Sequence, residues 1–173
     1  DIHKKAMIAI DIAKRHKEKS CFFDEKLVDK LSYKKNMEIL YSVEEAIKED
    51  RIVPYFQPIM DLKTGNIYKY EALVRMIDKA TWKPIPPWVF LPVIEDHWKL
   101  WDITHIIIEK SFEILSKRNI FISINITADD LKNPNFLWFI DEISSKYKID
   151  TNSVTLELLE SAFSWDIKIM LKA

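Results

Sequence analysis

The chain has 173 residues, 48% of them apolar and 31% charged, with 26 Lys and Arg set against 27 Asp and Glu for a net charge of -1. That size and balance suit one globular domain, or one with a short appendage, and leave no basic surface for gripping duplex nucleic acid, which is excluded as a partner. A single glycine, against a usual share of roughly 7%, rules out a Walker loop or a dinucleotide fingerprint, and a single cysteine rules out an intrachain disulfide or a CxxC zinc site.

From Asp1 to Lys19 the apolar residues Ile2, Ala6, Ile10 and Ala13 recur at helical spacing with basic residues at the C-terminal end, and Cys21-Phe22-Phe23-Asp24 is long enough for one edge strand. Residues 1–24 are too few to bury a core. They are expected to dock on the rest or to be the remnant of a domain truncated upstream. No apolar run approaches the ~20 residues of a membrane helix, and the N-terminus lacks the apolar core of a signal peptide. A cytoplasmic setting without membrane contact by this segment is expected, with upstream tethering left open.

A second helix is predicted from about Glu25 to Glu49, where Leu27, Leu31, Met37, Leu40, Val43 and Ile47 keep near-heptad spacing. It is long for a connector, and the pattern suits either pairing with a copy of itself or lying on its own domain. Ile52 to Ile59 reads as a strand whose Pro54 and Pro58 point to an edge. A turn from Asp61 to Asn66, holding the only glycine, leads to a strand from Ile67 to Met76, so the pair reads as a β-hairpin. Helices near Val89–Asp96 and Lys99–Lys117, a strand at Ile120–Ile126, a helix at Pro134–Tyr147 and a strand at Val154–Leu159 follow. Strands alternating with helices after a hairpin argue for an α/β fold with a parallel sheet or barrel of βα units.

Alternation along the strands divides each into two faces. Lys69, Glu71, Leu73 and Arg75 share one face of the second hairpin strand; Ser123 and Asn125 share one face of the next, and Thr155 and Glu157 of the last. For a single strand the plainer reading is a solvated polar face. In a barrel, however, helices cover one face and the other points inward, where a carboxylate must be paired or bound to a cation. Glu71, Asn125 and Glu157 make an oxygen donor set suited to Mg²⁺, Mn²⁺ or Ca²⁺. Arg75, on the face of Glu71, could hold a phosphate in bidentate fashion or simply partner a nearby acid.

At these residues the sequence resembles the EAL domain of cyclic di-GMP phosphodiesterases. The match runs through Tyr55-Phe-Gln-Pro-Ile59, Asp61-x-x-Thr-Gly-x-Ile67, Tyr70-Glu-Ala-Leu-Val-Arg75, Phe90-Leu-Pro-Val-Ile-Glu95, Ser123-Ile-Asn-Ile126 and Leu156-Glu-Leu-Leu-Glu-Ser161. It covers about residues 51–173. Residues 1–24, with Ala9-x-x-x-Ala13-Lys14 and Phe22-Phe-Asp24, resemble the closing elements of a GGDEF domain, which leaves residues 25–50 as a helical linker.

The resemblance implies a modified (β/α)8 barrel of EAL type with an antiparallel first strand, of which about the first half is present. It implies Glu71, Asn125 and Glu157 as metal ligands, Gln57 and Arg75 as substrate-binding residues, and Glu71 and Glu160 as catalytic, Glu160 by steadying the loop that completes the metal site. The chain departs from the family at Leu159, where Thr is usual, and at Trp98 after His97, where a Thr-Gly pair is common. It stops before the family's Asp-Asp-Phe-Gly element, catalytic lysine and later glutamate.

The expected activity of the parent protein is therefore hydrolysis of cyclic di-GMP to linear pGpG with two Mg²⁺ or Mn²⁺ ions. The alternative is a cyclic di-GMP receptor that does not cleave, or a degenerate EAL interaction module. Residues 1–173 alone are expected to be inactive and poorly soluble. A homodimer through the linker helix or the EAL domain is compatible with the pattern. Trp82, Trp88, Trp98, Trp101 and Trp138 are expected in core or interface positions, His97 and His105 as surface or hydrogen-bonded helix residues, and Cys21 as inert.

Overall fold

A computed structural model describes residues 25–95 and 100–158. The expectations for residues 1–24, for His97 and Trp98, and for Leu159, Glu160 and the tail lie outside the described residues. The chain divides into two compact units, residues 1–42 and 43–173. In the first, the described part is the start of helix α1, Glu25–Lys48.

In the second unit, α1 ends in a Schellman arrangement. Asp50 takes the left-handed conformation at φ 57°, Arg51 N–H donates to Ala46 O at 2.8 Å and Asp50 N–H to Ile47 O at 3.3 Å. Glycine is the usual residue at such a position, but the chain's only glycine, Gly65, serves at φ +71° in the hairpin turn. Asp50, Trp82 and Lys148 therefore take positive φ without it. Arg51, its side chain almost fully buried, fastens the helix end to the base of the hairpin through Ile77 O at 2.6 Å and Glu49 at 2.8 Å.

Strands β1 (Ile52–Met60) and β2 (Ile67–Ile77) pair antiparallel, joined by a turn in which Asp61 Oδ1 accepts from Lys63 N–H at 2.8 Å and Asp61 O from Gly65 N–H at 2.8 Å. Pro54 and Pro58 lie four residues apart on β1, so both missing N–H groups fall on the side turned away from β2, as an edge strand allows. The short β3 (Pro84–Ile85) pairs with the end of β2. Helices α2 (Pro87–Ile94) and α3 (Leu100–Leu115) lead to β4 (Ile122–Ile126), parallel to β2. Helices α4 (Ala128–Lys132) and α5 (Phe136–Tyr147) and a 3-10 turn then lead to β5 (Val154–Leu158), parallel to β4. The sheet order is β1-β2-β4-β5.

This is the arrangement expected, a hairpin followed by parallel βα units. The core lies between one face of the sheet and α3, which packs against β1, β2 and β4 as well as α4 and α5. Ala72, Met76, Ile122, Ile124 and Ile126 supply the sheet side, and Ile103, Ile107, Ile108, Phe112 and Leu115 the helix side, all buried. Each large side chain so buried contributes about 1.5–3 kcal/mol. With that face committed to the core, the opposite face of β1, β2, β4 and β5 carries the polar residues.

Trp101 packs against Phe136 and Phe139, while Trp82, Trp88 and Trp138 are 74%, 73% and 65% exposed, which excludes the core for these three and leaves the interface alternative. One expectation is corrected. His105 is half-buried, and hydrogen bonding does not hold it: its ring stacks on Phe139 at 3.6 Å and lies 4.1 Å from Trp101, and its buried Nε2 has no hydrogen-bond partner. Burial pushes its pKa below 6.5, opposed more weakly by Asp102, Asp130 and Glu109. The unfolded chain therefore takes up the proton first as pH falls, and stability declines from about pH 6.5 down through the folded value. His105→Phe is expected to flatten that decline in denaturant titrations of the natural protein at about pH 7.5 and about pH 5.5; an unchanged slope would contradict this origin.

Candidate functional site

Register decides which polar residues become neighbours. Gln57 lies opposite Glu71, Glu71 opposite Ser123, and Ser123 opposite Thr155, so one row crosses all four strands. One pleat further on, Asn125 lies opposite Glu157. The two rows join where Asn125 Nδ2 donates to Glu71 Oε1 at 2.8 Å. The three expected oxygen donors thus gather on the face not committed to the core. Asn125 and Glu157 lie near the C-terminal ends of their strands, whereas Glu71 lies mid-strand in β2.

Gln57 is exposed beside Glu71 and makes no side-chain hydrogen bond among the described residues. Arg75 donates to Val74 O at 2.8 Å and lies over the Tyr55 ring, 5.8 Å from its centroid. No carboxylate meets Arg75 among the described residues, so the reading of it as an ordinary partner for a nearby acid finds no support there.

Lys69, which alternation puts on the face of Glu71, reaches from β2 past β4 to Glu157 Oε1 at 2.7 Å. Its ammonium holds the Glu157 carboxyl below the usual 4.5, against a smaller opposing effect of burial. The Ser123 hydroxyl pulls the same way more weakly. It stands near Glu157 without closing a well-formed hydrogen bond, and its fully buried Oγ has no partner. Lys69 was visible in the strand pattern; its pairing with Glu157 was not.

On donor chemistry the set fits a hard divalent ion, with two carboxylates, a carboxamide and a nearby orphaned hydroxyl. Asn125 would turn its amide over to offer oxygen in place of nitrogen. Among the described residues no group of three or more His, Cys, Asp or Glu is assembled to hold a metal. A separate cleft of about 620 Å³ opens beyond β4, lined by residues that include Trp101, Thr127 and Asp130, and none of the three donors lines it. The Thr127–Asp130 capping box shapes that wall, with Asp130 Oδ2 accepting from Thr127 N–H at 2.8 Å and from Thr104 at 3.1 Å.

The family model described as the EAL domain matches residues 41–170. A Borreliella burgdorferi protein named cyclic di-GMP phosphodiesterase PdeA is 29% identical over 174 residues, covering 97% of this chain and 26% of that protein. Among solved structures, the EAL enzyme Bd1971 in its cGMP-bound form aligns with a TM-score of 0.74 at 21% identity, over 83% of this chain and 42% of that one. The PaMucR phosphodiesterase in complex with c-di-GMP aligns with a TM-score of 0.71 at 18% identity, over 78% and 56%. At such identities the structural likeness is one of fold. Among the described residues no helix is long and apolar enough to cross a membrane.

Proposed function

This chain belongs to the EAL domain family, and from that premise we propose that the whole protein hydrolyses cyclic di-GMP to linear pGpG at the face carrying Glu71, Asn125 and Glu157. The observation that carries the reading is the 2.8 Å bond from Asn125 to Glu71, together with the register of Asn125 on Glu157, which gathers donors from three strands. Glu71, Asn125 and Glu157 would hold a divalent ion, one of a pair of Mg²⁺ or Mn²⁺. When bound, such ions supply Lewis-acid polarisation of the phosphodiester and a water of lowered pKa. Arg75, which meets no carboxylate among the described residues, would clamp a phosphate oxygen pair. Gln57, exposed beside Glu71, offers an amide to the nucleotide. Glu160 belongs to the same proposal as the residue steadying the adjoining loop.

A second reading, a cyclic di-GMP receptor that does not cleave, is favoured by one observation: Lys69 already neutralises Glu157. Chromatography of cyclic di-GMP incubated with the natural protein and Mg²⁺ or Mn²⁺ separates the two. Appearance of linear pGpG is expected; retention of intact, bound cyclic di-GMP would favour the receptor.

A further inference from the structure

We infer that Lys69 is a resident competitor for the divalent cation, a tethered ammonium that must leave Glu157 before that carboxylate can ligate the ion. The inference rests on the proposed metal site and deepens it. The ion pair has an unusual position: it joins β2 to β5 across β4, over a separation of 88 residues. The Lys69 side chain is 20% exposed, against 57% for Lys79 and 68% for Lys117 in their surface pairs. Solvent and salt therefore screen it less than those pairs.

Glu157 is the carboxylate that Lys69 meets, and it lies opposite Asn125, which in turn bonds Glu71. The ammonium has thus been drawn to the anionic part of the same donor set that suits a hard cation. Both cannot occupy it together. An ammonium and a doubly charged ion on one carboxylate would stand about 4 Å apart, where their repulsion is strong. Metal binding then becomes an exchange in which the Lys69–Glu157 bond is broken and the ammonium returns to solvent or turns to another anion. The apparent affinity for the ion is lowered by the free energy of that bond.

The test is a Mn²⁺ titration of the natural protein followed by electron paramagnetic resonance, a readout independent of turnover. Lys69→Met and Lys69→Gln are each expected to lower the Mn²⁺ dissociation constant by up to about fivefold, whereas Lys69→Arg, which keeps the charge, stays near the natural value. Equal or weaker Mn²⁺ binding by both neutral variants overturns the competition while leaving the metal site standing. A purely structural role for the ion pair would give that result. Absence of saturable Mn²⁺ binding in every variant overturns the metal site itself, and the competition with it.

Discussion

Glu71→Gln in the natural protein is expected to lower cyclic di-GMP turnover by at least about 10³-fold while changing stability by less than about 0.5 kcal/mol. The substitution keeps the size of the side chain, and the Gln oxygen can still accept from Asn125 Nδ2, whose bond to Glu71 is 2.8 Å. What disappears is the negative charge that would hold a cation and help place the phosphodiester against Arg75. Glu71 is only half-buried, so neutralising it leaves no stranded charge in the core. Steady-state hydrolysis and denaturant unfolding measured on the same preparation check both halves. Undiminished hydrolysis would refute the assignment of Glu71.

Phe112→Ala should produce the reverse combination. Phe112 is 1% exposed on α3, the helix that supports β1, β2 and β4 from beneath. Removing a buried ring costs about 3–5 kcal/mol, because the surrounding side chains only partly close the cavity. That is a large share of the ~5–15 kcal/mol by which a domain is stable. Thermal and denaturant midpoints are expected to fall sharply. Activity measured well below the new midpoint should recover toward normal, since Phe112 faces away from the donor set. A variant of unchanged stability would show that α3 is not the main support of the sheet.

The fold could be read from the sequence where one periodicity ruled one element. The alternation in Lys69–Arg75 and Phe121–Ile126 assigned faces that the register and the burial of Ala72, Ile122, Ile124 and Ile126 bear out, because a strand buried on one side cannot slip by one residue without exposing its core. In Val154–Leu158 the pairing follows the same alternation, although Leu156 is exposed. Helix α4 was missed, although Thr127-x-x-Asp130 directly after an apolar strand is a start signal. At the site, strand alternation placed Glu71, Asn125 and Glu157 on a common side. It did not reveal that Asn125 bonds Glu71 or that Lys69 takes Glu157, since both depend on sheet curvature between residues 54 and 88 positions apart. His105 was misjudged for a related reason: its aromatic neighbour Phe139 comes from α5.

The hairpin gives the donor set a history as well as a shape. Gln57 and Glu71 are brought side by side by a tight local turn, whose closure is entropically modest and fast. Asn125 is separated from Glu71 by one intervening crossover, and Glu157, reached by Lys69 over 88 residues, by a further one. Sequence separation therefore favours Glu71 meeting Gln57 before Asn125 during folding. On the proposed ligation, ion capture by all three donors would report that β5 has found its place beside β4, and conditions rich in divalent salt would favour that docking over its reversal.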